Sequence, residues 1–373
     1  MNQSTSLQKY LLGAACAGLL AGAWGIIEAL LHGTAGTGLG SYVPWGLGVV
    51  LYLTFLGFSA AGLMLALVTT VFGRHEYEEL AGLAAWTVVV TEACAGLAIA
   101  TDLGHWERMY RFIVSPSFTS PMAWMFVFFT AMFIIYALKV LALLKGDSAG
   151  AHRLTIVSIP VAFLFYGTNG YIFGTLVHHP VWGGPVVPVL FVAAALMAGG
   201  ALLCFLAWAF GHRAALVTGL GKAVLGMLVL FAVTEALLVL TGYQAGDADT
   251  VAALDAVLGG GSGVIFWVLH VGVGIIVPLV LLTRGNAAST AWGCLALVLA
   301  FGAARWSFVI APQFIPPLHG LDQAFVHHRL ALSYSPSLGE WLATLFVASL
   351  GLLGFVLGPR VVPGLFREGE DNA

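Results

Sequence analysis

The chain has 373 residues, of which 60% are hydrophobic and only 8% are charged. Because so few polar side chains cannot cover a soluble globule of this length, the composition excludes a soluble fold and indicates an integral membrane protein. The formal net charge is only -3 and no basic stripe is present to neutralise phosphates, which argues against a nucleic-acid partner.

The first apolar run, residues 10–32, is long and carries Glu28, so we expect a first spanning helix rather than a cleaved signal peptide. Glu28 and His32 lie four residues apart and therefore on one face of this helix. The following segment returns Tyr42 and Trp45 to the same membrane boundary. These side chains are candidates for one pocket, although an aromatic belt explains Tyr42 and Trp45 as well.

Apolar runs long enough to cross about 30 Å of hydrocarbon predict ten spanning helices. They lie near residues 10–32, 44–72, 80–101, 121–145, 154–177, 185–210, 217–241, 262–284, 289–311 and 338–358. The predicted fold is all-α, and an even number of crossings places both termini on the same side of the membrane.

The basic residues are distributed unevenly between the two sides. Ten lie on the side of the termini: Lys9, Arg74, Lys139, Lys145, Arg153, Arg213, Lys222, Arg284, Arg360 and Arg367. Four lie opposite: Arg108, Arg111, Arg305 and Arg329. The positive-inside rule therefore predicts cytoplasmic termini.

The third apolar run ends in a concentration of ionisable side chains, Asp102, His105, Glu107 and Arg108. Such groups at a membrane boundary are costly and indicate a functional site by default. A quinone site needs an apolar slot, hydrogen-bond partners for the ring carbonyls and a group that exchanges protons with the ring. Asp102 and His105, with His32, Tyr42 and Trp45, supply these requirements.

Two carboxyl groups lie deep in predicted helices. Glu92 precedes Asp102 by ten residues, about 15 Å deeper in a continuous helix, and Glu235 takes a matching place in helix 7. Each is a candidate for a proton relay with Glu28, and equally for an interhelical hydrogen bond. His270 in helix 8 could relay protons, whereas a haem would require a second, facing histidine.

An internal repeat is visible in the motifs. Thr91-Glu92-Ala93 recurs as Thr234-Glu235-Ala236, and Tyr166-Gly167 recurs as Phe301-Gly302. The similar offsets predict two four-helix bundles, helices 2–5 and 6–9, flanked by helices 1 and 10. Chance similarity between Ala- and Gly-rich helices is the alternative. The corresponding chain segments are 1–43, 44–178, 179–311 and 312–373.

The longest connection on the side opposite the termini follows helix 9. Arg305 precedes it and Gln313 begins it, so this loop and Arg108 are candidates for docking a partner. The spacing from Ser337 to Glu340 is that of a capping box and predicts the beginning of helix 10. The four cysteines are isolated in apolar runs and form neither a cluster-binding nor a haem-attachment motif, and no metal site is expected.

Several motifs together are similar to those of the NrfD/polysulfide-reductase family of membrane subunits. They are Pro44-Trp45-Gly46, Asp102-Leu103-Gly104 followed by Trp106-Glu107-Arg108, Ser120-Pro121-Met122, and Tyr334-Ser335-Pro336-Ser337 before Glu340-Trp341. The ten-helix length, with Arg305 and Gln313, most resembles the longer branch of that family. The resemblance covers nearly the whole chain.

The resemblance implies a membrane anchor that binds menaquinone or ubiquinone and contains no haem or iron-sulfur cluster. It also implies a ferredoxin-like iron-sulfur subunit and a catalytic subunit (a molybdopterin enzyme, a hydrogenase or a cytochrome) on the outer face. The family's acidic residue near the quinone corresponds to Asp102, and its histidine to His105. Proton conduction in some relatives implies a role for Glu92 and Glu235.

The sequence therefore predicts a quinone-interacting subunit of a respiratory or sulfur-metabolism oxidoreductase in a bacterial or archaeal cytoplasmic membrane. Two alternatives stay open. A secondary transporter with parallel repeats predicts substrate flux without a redox partner. A purely structural anchor predicts normal quinone turnover after Asp102→Asn.

Overall fold

The computed structural model describes residues 2–366 apart from 177, 178, 180, 317–319, 321, 322, 324–326 and 328. All regular secondary structure within these residues is helical. Arg367, assigned above to the side of the termini, lies outside the described residues.

Ten helices of the described chain are long and apolar enough to cross a membrane, which confirms the predicted all-helical membrane fold. They are α1 (Ser6–Gly36), α2 (Leu47–Val71), α3 (His75–Asp102), α4 (Pro121–Leu144), α5 (Ser148–Gly174), α6 (Val186–Ala209), α7 (Ala214–Ala245), α8 (Gly260–Leu282), α9 (Ala287–Phe314) and α10 (Leu338–Val361). We call the side on which α3 ends the Asp102 face. The beginning of α1 and the end of α10 lie toward the opposite side.

Polar side chains set the beginnings of several helices. The hydroxyl of Ser120 accepts from the Met122 N–H at the beginning of α4, where Pro121 takes the first helical position. At the beginning of α10, Ser337 and Glu340 form the predicted capping box, which is confirmed. One boundary differs from the prediction, because a 3-10 turn, Ala311–Phe314, extends α9 beyond residue 311.

The core lies around α2 and α6, the two most buried spans. They approach closely because α6 presents small side chains. A Cβ atom at Gly199 would lie only 2.3 Å from the backbone nitrogen of Ala61 in α2. Small residues allow such close helix packing in membranes, where van der Waals contact drives association.

The other helices surround this pair. Helices α2 to α5 contact one another in chain order, and α5 returns to contact α2. Helix α9 packs against α6, α7 and α8, while α1 runs along α10. The grouping into two four-helix bundles, and the four chain segments drawn from it, stay predictions.

Candidate functional site

The site begins at the N-terminus of α2, where three consecutive backbone N–H groups each find a side-chain acceptor from a distant part of the chain. These pairs are Trp45 with Gln313 (3.2 Å), Gly46 with Asp102 (3.4 Å) and Leu47 with Tyr334 (2.8 Å). The first N–H groups of a helix have no intrahelical partner, and the helix dipole makes this end positive. The Gly46 N–H and this end of the helix dipole therefore stabilise a negative charge on Asp102 when the carboxyl is ionised.

Tyr334 also donates its hydroxyl to Glu340 in a short hydrogen bond. Burial and the neighbouring carboxylate of Glu340 raise the pKa of Tyr334, so the phenol keeps its proton. One hydroxyl therefore joins the beginning of α10 to the beginning of α2. The sequence motif around Tyr334 pointed to the family but not to this contact.

Gln313 holds the backbone around Trp45. Its side-chain amide donates to the carbonyl oxygens of Trp45 (2.9 Å) and Val309 (2.7 Å) and accepts from the Trp45 N–H. Only 1% of Gln313 is exposed. This side chain, predicted to dock a partner, is instead consumed by internal hydrogen bonds, so the structure does not support docking through it.

The Trp45 ring is fixed by aromatic neighbours. It stacks on Trp182 with 5.3 Å between ring centroids and meets Phe173 edge-on at 4.9 Å. Trp182 is itself held by a 2.7 Å hydrogen bond from its indole nitrogen to the Phe308 carbonyl. Such contacts give Trp45 a defined orientation.

A cavity of about 290 Å³ lies beside Trp45, between α2, α3, α4 and α5. Most of its lining is apolar or aromatic: Pro44, Val49, Leu53, Ile99, Leu103, Met109, Phe112, Met122, Met125, Phe126, Phe129, Ile172 and Phe173. Its polar side chains are Asp102, Tyr52 and Asn169. An apolar cavity with a few convergent polar groups is typical of a small-molecule site.

Tyr52 and Asn169 were not among the predicted site residues. The Tyr52 hydroxyl donates to the Asn169 side-chain oxygen at 2.7 Å, and the Asn169 amide donates to the Phe165 carbonyl at 2.8 Å. The available signal was weak, because each run holds several other polar residues; an Asn inside an apolar run was the more informative of the two. Only the pairing of α2 with α5 brings the two together.

Glu92 lies deeper in the same group of helices. It is 0% exposed, and neither carboxyl oxygen has a hydrogen-bond partner in the described part of the chain. It is near enough to Tyr52, Tyr136 and Tyr166 to interact electrostatically with all three phenols. A buried carboxyl without a partner is unstable as an anion, so Glu92 is suited to hold a proton.

The matching carboxyl of the second half has a different environment. The Glu235 carboxyl is hydrogen-bonded to Nε2 of His270 at 2.8 Å. His270 lies inside a π-helical segment of α8, Ile265–Ile276. The guanidinium of Arg305 lies 4.5 Å from the Phe301 ring centroid and interacts electrostatically with Glu235. Arg305 is only 4% exposed, so the structure does not support its predicted role in docking a partner.

The remaining predicted residues lie outside the large cavity. The His105 side chain is 62% exposed and bonds to Glu107 at 2.9 Å, and His32 is exposed at the end of its helix. Tyr42 is buried but does not line the cavity. Arg108 is exposed, and its docking role stays a prediction. Glu28 lies beside Asp102 in a smaller, separate cavity.

The chain is similar to proteins of reductase complexes. It is 26% identical to a selenate reductase subunit of Mesobacillus selenatarsenatis, over 91% of each chain. It is 31% identical to a predicted dimethyl sulfoxide reductase membrane subunit of Halobacterium salinarum, over 94% of this chain and 90% of that one.

It is also 24% identical to the Hdr-like menaquinol oxidoreductase integral membrane subunit of Archaeoglobus fulgidus, over 87% of this chain and 86% of that one. The family model "Polysulphide reductase, NrfD" matches residues 37–317, which include every residue that lines the large cavity. The protein is therefore an integral membrane member of the NrfD polysulphide reductase family, whose relatives serve oxidoreductase complexes as membrane subunits.

Proposed function

We propose that this subunit binds quinone or quinol in the large cavity and exchanges electrons between the membrane quinone pool and a peripheral iron-sulfur subunit. The observation that carries this proposal is an apolar cavity of about 290 Å³ with Asp102 at one wall. The name of the Archaeoglobus relative, a menaquinol oxidoreductase subunit, supports a quinone as the ligand. The quinone is menaquinone or ubiquinone.

The cavity offers each feature that a quinone ring requires. The apolar and aromatic lining accepts the ring and the first part of the isoprenoid tail. Tyr52 and Asn169 are hydrogen-bond partners for one ring oxygen, and Asp102 takes a proton from the other oxygen or returns it. Oxidation of a quinol to a quinone breaks two O–H bonds and releases two protons and two electrons. Each proton passes to Asp102 in turn, and the two electrons pass one at a time to the docked iron-sulfur partner.

The partner docks on the Asp102 face. The short connection between α3 and α4 covers the cavity there, with Met109 and Phe112 in its lining and Arg108 on its exposed side. A redox centre bound against this connection lies close to the quinone. A catalytic subunit then completes the complex, outside the cell if the basic residues mark the cytoplasmic side.

The first test is photocrosslinking. A menaquinone analogue with an azide on the ring is irradiated with the purified chain in liposomes, and the labelled peptides are identified by mass spectrometry. We expect labels within residues 44–53, 96–104 and 122–129, since these segments line the cavity. Val49→Phe should block labelling because the larger ring fills the cavity, whereas Asp255→Asn, an exposed carboxyl on the same face, should not.

We also propose that the subunit translocates protons across the membrane. Three hydrogen-bonded pairs of polar side chains follow one another away from the Asp102 face. They are Tyr52 with Asn169 (2.7 Å), Ser59 with Tyr166 (2.9 Å) and Tyr136 with Ser158 (3.2 Å). Glu92 lies among them, and the Lys139 ammonium lies 5.4 Å from the Tyr136 ring centroid. Glu92→Gln should abolish proton uptake from the opposite side while quinone labelling persists.

The identity of the partner separates this proposal from secondary transport. Gentle detergent extraction followed by mass spectrometry should find an iron-sulfur subunit in stoichiometric amount. A chain that purifies alone, repeatedly and intact, and that takes no label from the quinone analogue contradicts the proposed function. Transport with parallel repeats then becomes the better interpretation.

A further inference from the structure

Asp102 lies between two cavities. One is the large apolar cavity described above. The other, on the opposite side of Asp102 and enclosed by α1, α3 and α10, has a volume of about 20 Å³, which is enough for one water molecule. Asp102 therefore stands where a proton can pass from the first cavity to the second.

The small cavity contains several polar groups. Three carboxyl residues from three helices line it: Glu28, Asp102 and Glu340. Thr37, Thr101, Ser337 and Thr344 also line it, the other lining residues are glycines and alanines, and Gly36 is exposed. A water molecule here has several polar partners and a short path to the surface of the Asp102 face.

Glu340 is bonded as a carboxylate. One oxygen accepts from the N–H groups of Gly38 and Ser337, each at 2.8 Å, and the other accepts from the Tyr334 hydroxyl. Three donors therefore converge on this carboxylate and hold it in one orientation. Glu340 therefore supplies a fixed negative charge beside the route.

Glu28 has the opposite character. No hydrogen bond to its carboxyl group is found within the described residues, and the group packs against two glycines. A Cβ atom at Gly339 would lie 2.3 Å from one carboxyl oxygen, and a Cβ atom at Gly36 would lie 2.6 Å from the other. These glycines leave the space that the carboxyl occupies. Glu28 is thus free to accept a proton and release it at the exposed edge.

We infer that the quinone site exchanges protons with the Asp102 face through Asp102, a water molecule in the small cavity and Glu28, with Glu340 as a fixed countercharge. This inference rests on the proposed function. In quinol oxidation the two O–H protons pass in turn to Asp102, then through the water to Glu28 and out, while the two electrons pass to the docked partner. Quinone reduction runs the same steps in reverse.

The alternative exit is the covered mouth of the large cavity. That path passes Leu103, Met109 and Phe112, which offer no titratable group. A proton needs a chain of donors and acceptors, and the small cavity supplies one. Glu28 and Glu340 lie outside the residues that match the family model, so α1 and α10 add this route to the matched portion of the chain.

The test compares Glu28→Gln with Asp255→Asn in the complex that copurifies with the chain. Turnover is followed by oxidation of a reduced short-tail menaquinone analogue with an artificial electron acceptor, or by the reverse reaction. Loss of a proton-transferring group lowers rates by about 100-fold. We expect such a loss for Glu28→Gln, with the Kd of the analogue unchanged, and wild-type turnover for Asp255→Asn.

A second variant displaces the same carboxyl group sterically. Gly339→Ala places a methyl group 2.3 Å from a Glu28 oxygen, so it should also lower turnover. Formate or azide, small acids that can carry protons from solution to the exposed edge of the cavity, should partly restore turnover in Glu28→Gln but not in Asp102→Asn, which disables the quinone site itself.

The outcomes separate the two proposals. If the analogue binds and Asp102→Asn abolishes turnover while Glu28→Gln matches the control, the route through Glu28 is wrong and the quinone site stands. If the analogue neither binds nor labels the wild-type cavity, the proposed function fails. Rescue by small acids in Glu28→Gln supports the route directly, because a merely structural role gives none.

Discussion

The two Thr-Glu-Ala segments place the same carboxyl in two different environments. Glu92 in α3 has no hydrogen-bond partner within the described residues and lies near Tyr52, which lines the large cavity. Glu235 in α7 bonds to His270 at 2.8 Å and lies near the buried guanidinium of Arg305. The same motif therefore has different chemistry at the two positions, because the groups that surround each carboxyl come from other helices.

The two carboxyl groups therefore suit different roles. The first half has an apolar cavity and a carboxyl that is free to change its protonation state, which suits proton exchange. In the second half the carboxyl is hydrogen-bonded to His270 and lies near the Arg305 guanidinium, which suits helix association. Substitutions can break this contrast, and the expected effects fall in order from Arg305 to Glu92.

Arg305→Ala should have the largest effect on stability. It removes a guanidinium that interacts electrostatically with Glu235 and leaves a void against Phe301 and Phe191. Truncation of a large buried side chain lowers the free energy of unfolding by about 3 kcal/mol. Denaturation of the purified chain in detergent measures this loss. Adding Glu235→Gln should recover part of it, and no recovery would show that the charges do not interact.

Gln313→Ala should come next. The substitution leaves the Trp45 N–H and two backbone carbonyls without their partner and lowers the free energy of unfolding by about 2 kcal/mol. Gln313 is in α9 and Trp45 lies just before α2, so this change also tests the contact between these two helices. The affinity for a menaquinone analogue, measured by tryptophan quenching, should fall as Trp45 loses its orientation. Unchanged affinity would show that the hydrogen bonds of Gln313 do not affect ligand binding in the large cavity.

Glu235→Gln should have a smaller effect. The amide retains one hydrogen bond to His270 but loses the charge, and interhelical hydrogen bonds in membranes contribute about 1 kcal/mol. The same denaturation experiment measures the difference. A loss as large as that of Arg305→Ala would mean that the anion, rather than the hydrogen bond, holds these helices together.

Glu92→Gln should leave stability almost unchanged. Neither carboxyl oxygen has a partner to lose within the described residues, so the free energy of unfolding should change by less than about 0.5 kcal/mol. A pronounced destabilisation would give Glu92 the structural role that Glu235 has, and the contrast between the halves would disappear. Its proton-uptake phenotype is the independent readout.

Much of the fold was predictable because the bilayer imposes a simple rule. Apolar runs of the required length gave the ten spans, and Asp102 stood out as a carboxyl at the end of one of them. The capping box at Ser337 and Glu340 was also readable, since its spacing is local. What the spacing did not reveal was a second use of Glu340, as acceptor for Gly38 and Tyr334.

The burial of Arg305 and Gln313 was not readable for a related reason. A polar residue near a helix end is usually exposed, but the exposure of a side chain depends on the helices that pack around it. Phe191 of α6 packs on the Arg305 guanidinium, Gln313 bonds to the backbone of Trp45, and each residue is almost fully buried. Tyr52 and Asn169 were missed because neither is informative without the other.

The sequence by itself determined that this chain crosses the membrane ten times, which family it resembles and that Asp102 is its most informative residue. These features depend on composition, length and local motifs. Only the tertiary structure decided which groups surround Asp102, that Glu92 is isolated while Glu235 is paired, and that a small polar cavity adjoins the large one. Contacts between helices far apart in the chain decide these features, because each partner lies on a different helix.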